Sequence, residues 1–117
     1  MFRFETLDVW KRSIEVTDEL FNVADELEAR KRFKFAEQLR GAVLSISNNI
    51  AEGSGSSSNN EFRQFLNYSH RSVFESANMI IICNRRGYLE ELKKQKYMND
   101  LEQVSKMVTG FSRSLQH

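Results

Sequence analysis

The chain has 117 residues, of which 40% are apolar and 28% charged. That suffices for one domain with its own core and a solvated surface, and it argues against intrinsic disorder. With no proline and five glycines, the punctuation is too sparse for a many-turned β-sandwich or barrel and favours a few long helices; a net charge of +1 gives no global pull toward nucleic acid, so any such binding must come from how charge is distributed.

The spacing predicts a first helix over about 7–28, with Thr6 as N-cap and Asp8 in the first turn, where a negative charge suits the helix dipole. Leu7, Trp10, Ile14, Phe21 and Ala24 form one apolar stripe, and Val9, Val16, Leu20, Val23 and Leu27 a second. Together they are wider than the ~100° face of an ordinary surface helix. A second helix is expected over about 34–52, on the seam Ala36, Leu39, Val43, Ile46 and Ile50, with Gly53 as a left-handed cap that stops it. The serine-glycine stretch after Gly53 reads as a flexible turn. The third helix, about 59–86, opens on capping-box spacing between Ser58 and Glu61 and follows Phe62, Phe65, Leu66, Ser69, Val73, Ala77 and Ile80. Phe74, Ile81 and Ile82 lie off that seam. The fourth, about 90–115, carries a narrow seam of Tyr97, Leu101, Val104, Val108, Phe111 and Leu115. Four amphipathic helices with short connections predict an all-α, antiparallel, up-down-up-down four-helix bundle filling residues 1–117.

That topology sorts the charges. The first and third connections fall at the same end, which brings Arg30, Lys31, Arg32 and Lys34 together with Arg85, Arg86, Lys93, Lys94 and Lys96. The bundle becomes a polar object with one basic end. Clustered Lys and Arg neutralise phosphates, so these residues are the candidate contacts for RNA or DNA. Tyr88, between the arginine and lysine groups, is placed either to stack on a base or to pack a helix start. The unequal apolar arcs point to self-assembly: Val9, Val16, Val23, Phe74, Ile81 and Ile82 are expected to form a homo-oligomeric interface, because monomers seldom expose large apolar patches.

Catalytic constellations are missing. Asn67 stands three residues before His70, where a di-iron bundle needs Glu. The lone Cys83 has no CxxC partner and is expected to be buried, and the glycine-serine turn lacks the Gly-Lys-Ser/Thr ending of a phosphate loop. We therefore expect no enzyme, no metal and no cofactor. No apolar run reaches a ~20-residue membrane span. Arg3 and Glu5 interrupt any signal-peptide core, so a cytoplasmic location without membrane contact is expected.

Residues Gln38-Leu39-Arg40 leading into Ser45-Ile46-x-x-Asn49-Ile50-Ala51-Glu52-Gly53 form a specific block. With Glu61-Phe62, Phe65-Leu66, Ser72-Val73-Phe74-Glu75 and the opening Phe4-x-x-Leu7-x-Val9-Trp10, the chain resembles proteins encoded in intervening sequences of bacterial 23S rRNA genes. Two departures stand out: Ser54-Gly55-Ser56-Ser57-Ser58 replaces the arginine the family usually has after the glycine, and Phe33-Lys34 replaces its usual Phe-Pro. The resemblance implies an antiparallel four-helix bundle in a homopentameric ring, no established catalytic activity, and kinship with the nucleic-acid-binding accessory protein of diversity-generating retroelements. Its signature has a physical reading in this chain. Asn49 is expected near the core seam, bonded to groups such as Ser69 or Ser72 on the third helix. Glu52 is expected to bond the first amides of that helix. The combined expectation is a non-enzymatic, self-assembling protein that binds RNA or DNA weakly through basic loop ends. The alternative is a scaffold that docks a protein partner without nucleic acid.

Overall fold

The computed structural model describes residues 1–116. A 3-10 turn over Arg3–Thr6 leads into α1 (Asp8–Ala29), α2 (Phe33–Ser54), α3 (Asn59–Arg85) and α4 (Glu91–Ser114), with no strand among the described residues. At 1.5 Å per residue the helices run roughly 33–40 Å, and they set the long axis of a 46 × 22 × 21 Å body.

Inter-helix bonds fix the register. Ser69 Oγ donates to the Ile46 carbonyl, and Ser72 Oγ to Ser45 Oγ, both at 2.8 Å. On the other side Arg12 reaches Asp100 and Gln103 at 2.9 Å, and Lys96 reaches Glu19 at 2.9 Å. In each pair the numbers rise along one helix as they fall along the other, so neighbours are antiparallel. Each helix packs on two others, and α1 closes the ring on α4. The core holds Leu20, Leu27, Leu39, Ile46, Ile50, Phe62, Leu66, Ile80 and Leu101 fully buried. Burying each such side chain contributes roughly 1.5–3 kcal/mol. Among the described residues no helix is long and apolar enough to cross a membrane.

This closure corrects the reading of α1. Val9, Val16 and Val23 are at most 4% exposed within a single chain, so they have no face to offer a second copy. A helix at one corner of a square bundle touches two neighbours, and there the stripe Val9, Val16, Leu20, Val23 and Leu27 is consumed, while Leu7, Trp10, Ile14 and Phe21 of the other stripe stay half-buried. α4 manages with a narrow seam because its contact with α1 is partly ionic, through Arg12–Asp100 and Lys96–Glu19.

The helix ends also differ in places from expectation. Thr6 is not the cap of α1. Its hydroxyl donates to the Arg3 carbonyl inside the 3-10 turn, and Leu7 precedes the helix without a side-chain cap. Gly53 does not end α2, which runs through it to Ser54, and among the described residues the only glycine with positive φ is Gly87. Gly53 instead serves a close approach. A Cβ built there would lie 2.7 Å from both Phe62 Cδ1 and Phe65 Cβ on α3. At the start of α3, Ser58 Oγ accepts from the Glu61 amide at 3.1 Å, the serine half of the expected capping box.

A candidate nucleic-acid interface at the basic end

Both connections at the far end use the same backbone device. After α1, the Arg32 amide donates to the Leu27 carbonyl (2.8 Å) and the Lys31 amide to that of Glu28 (2.9 Å). After α3, the Tyr88 amide donates to the Cys83 carbonyl (2.9 Å) and the Gly87 amide to that of Asn84 (3.1 Å). These are paired Schellman closures, in which the residue at the reversal is left-handed. Gly87 takes φ 77° and Lys31 takes φ 64°. The second is a conformation that a side chain makes unfavourable. Lys31 is the one non-glycine residue with positive φ among the described residues, and the strain sits in the middle of the Arg30-Lys31-Arg32 run.

Tyr88 joins the two connections. The guanidinium of Arg30 lies 5.5 Å from its ring centroid and that of Arg32 lies 5.2 Å away, a cation–π pair on one ring. Tyr88 thus acts as a clamp between loops. At this end Arg30, Lys31, Arg32, Lys34, Arg85 and Arg86 are exposed, and Lys93 is exposed on a groove that it shares with Asp25 and Glu26. None of them has a carboxylate partner among the described residues. Neighbouring acids are partly occupied: Glu28 receives Arg40 at 3.2 Å and Glu91 faces Lys94 at 3.7 Å.

Two of the sequence candidates stand apart from this cluster. Lys94 is paired with Glu91. Lys96 lies on the side of the bundle between Glu19 and Asp100, at 2.9 and 2.8 Å, and hydrogen bonds to Asp100 and Glu19 raise its pKa. Lys96 is a bundle clamp. Burial pushes the Asp100 carboxyl up, but Lys96 and Arg12 more than reverse this and hold it below the ordinary carboxylate range.

The signature residues lie in the opposite half. Asn49 is half-buried, and its Nδ2 donates to the Ser45 carbonyl (2.8 Å) and to Ser45 Oγ (3.0 Å). It reaches α3 only through Ser45, which accepts from Ser72. Its expected direct bond to Ser69 or Ser72 is therefore replaced by a relay. The Glu52 side chain is exposed and bonds none of the first amides of α3; its backbone carbonyl accepts from the Gly55 amide.

On the flank, Phe74 is 63% and Ile81 37% exposed. They line a groove of about 450 Å³ between α3 and α4, floored by Val73 and Leu101. Ile82 is half-buried on the other side of α3, facing α2. Cys83 is fully buried, and desolvation pushes its thiol up to about 11. Among the described residues no group of three or more His, Cys, Asp or Glu stands close enough to hold a metal ion.

Sequence reasoning missed the strained backbone of Lys31. The signal was present: a two-helix reversal written Ala29-Arg30-Lys31-Arg32 contains no glycine to take the left-handed position.

No curated protein matches the chain. Among solved structures it is similar to a protein of unknown function from the S23 ribosomal protein family of Bacteroides thetaiotaomicron. The match has a TM-score of 0.84 at 22% identity and covers 89% of this chain and 97% of that one. At that identity it speaks for the fold. The family model for the 23S rRNA-intervening sequence protein matches residues 5–110, nearly the whole bundle, and this chain belongs to that family.

Proposed function

We propose that this protein is a non-enzymatic helical module that holds RNA or DNA weakly by its phosphates, at the end where Arg30, Lys31, Arg32, Lys34, Arg85, Arg86 and Lys93 converge. One observation carries the reading: two separate loops are pinned together by Tyr88 so that exposed cations without carboxylate partners share one surface. The strain at Lys31 supports it, since backbone strain tends to persist where a site uses it. The contacts are to phosphate and carry little sequence information. Fluorescence anisotropy with a labelled single-stranded RNA tests this. Binding at low salt is expected, with log K falling against log salt at a slope of about −0.7 per phosphate engaged. Reversal of charge in Arg85→Glu with Arg86→Glu is expected to abolish it. Salt-independent binding, or binding untouched by the double variant, overturns the reading.

A second reading rests on the α3–α4 groove, where an exposed Phe74 beside Ile81 is a surface that proteins tend to cover. We infer that another copy covers it, in the homopentameric ring that the family resemblance implies, with the basic ends repeated around the rim. α1 contributes nothing to this contact. Sedimentation of Phe74→Asp is expected to shift the assembly to monomer. A wild-type monomer at micromolar concentration leaves the groove to a different protein partner, as a scaffold would use it.

A further inference from the structure

We propose that the cleft between α3 and α4 at the end opposite the basic loops is a separate oxyanion site for a phosphate group. It measures about 490 Å³. Arg63, Asn67 and His70 line it from α3, and Thr109, Ser112 and Arg113 from the last turns of α4. Leu66 and Val108, both fully buried, give it an apolar floor. Among the described residues no carboxylate lines it.

The half-buried arginines make the case. Arg12 holds Asp100 and Gln103, and Arg40 holds Asp25 and Glu28. Arg63 is half-buried too, but its Nε is shut away from water and meets no acceptor among the described residues. An anion oxygen reaches that enclosed Nε no better than water does; the anion's partners on Arg63 are its Nη groups, which stay accessible on the cleft and likewise meet no acceptor among the described residues. Arg113 lies on the same cleft and also has no carboxylate partner among the described residues. Two guanidinium forks, with hydroxyls from Thr109 and Ser112 and an amide from Asn67, offer donors from several directions. That arrangement suits the tetrahedral oxygens of phosphate better than the planar pair of a carboxylate. His70 is fixed as a wall by its contacts with Ser105 (3.4 Å) and the Phe74 ring (centroids 4.9 Å apart).

The phosphate has two possible sources, a small free phosphate and the backbone of a polynucleotide. The test is an NMR titration of the arginine Nε–H resonances with inorganic phosphate, with sodium chloride at equal ionic strength as the control. Arg63 and Arg113 are expected to shift saturably with phosphate and to stay still in chloride. Arg63→Gln and Arg113→Gln are each expected to weaken binding about tenfold, the loss of one charge-assisted bond. Arg113 lies exposed on the rim, so its variant reports binding even if Arg63→Gln unfolds. The Arg85→Glu, Arg86→Glu protein is expected to titrate like wild type, which separates this site from the basic end. Competition by a short RNA for the same resonances assigns the site to a polynucleotide, and absence of competition assigns it to a small phosphate; both uphold it. Unmoved arginine resonances, equal shifts in chloride, or unchanged affinity in Arg113→Gln overturn the proposal.

Discussion

The two ends of the bundle use glycine for opposite reasons. At the α2–α3 end Gly53 has ordinary helical backbone and matters for the volume it leaves empty, because Phe62 and Phe65 fill the place of its side chain. At the basic end Gly87 has open space around its Cα and matters for its backbone, held at φ 77°. Lys31 occupies the equivalent backbone position in the sister turn without being glycine. One end is limited by packing and tolerates no added atom. The other is limited by dihedral angle and accepts a side chain at the cost of strain, which is what lets a cation stand at the apex of a reversal.

Substitutions at both ends test that contrast. The largest effect is expected from Gly53→Ala, which forces a methyl against the buried Phe62 ring and should cost about 3 kcal/mol in a urea melt. A near-neutral result would mean the two helices part easily and the contrast fails. Next is a control that belongs to neither end. Asp100→Asn removes the charge that ties Arg12 and Lys96 across α1 and α4, and should cost about 1–2 kcal/mol at pH 7. The sign with pH is fixed by the lowered folded-state carboxyl. The contribution is complete above the unfolded value near 3.9 and is lost as pH falls through the lower folded value, so the gap between wild type and variant narrows below about pH 4. Gly87→Ala should cost about 1 kcal/mol through backbone strain alone. The smallest effect has the opposite sign. Lys31→Gly should stabilise the fold by somewhat under ~1 kcal/mol while weakening RNA retention. If it stabilises and leaves RNA binding intact, the strain at Lys31 serves nothing at that surface.

Helix placement was readable because apolar residues recur every three and four positions in each segment, and the joining of the first and third connections followed from the up-down order. The role of Gly53 was not readable: a glycine after an apolar seam looks the same whether it reverses the chain or admits a neighbouring ring, and the difference lies in Phe62 and Phe65, on the next helix. The apolar valines of α1 misled for a related reason. A wide arc on one helix is surplus only if it has a single neighbour, and how much of α4's contact would be ionic depends on Arg12 meeting Asp100, residues distant in sequence. The phosphate cleft was invisible for the same cause, since Arg63 and Arg113 become one site only when α3 and α4 align.

Tyr88 turns the basic end into its own reporter. A ring lying against two guanidinium groups shields their protons magnetically. A polyanion that captures Arg30 or Arg32 must draw it off that ring, so the side-chain protons of these arginines should move downfield on capture, without any label attached to the protein.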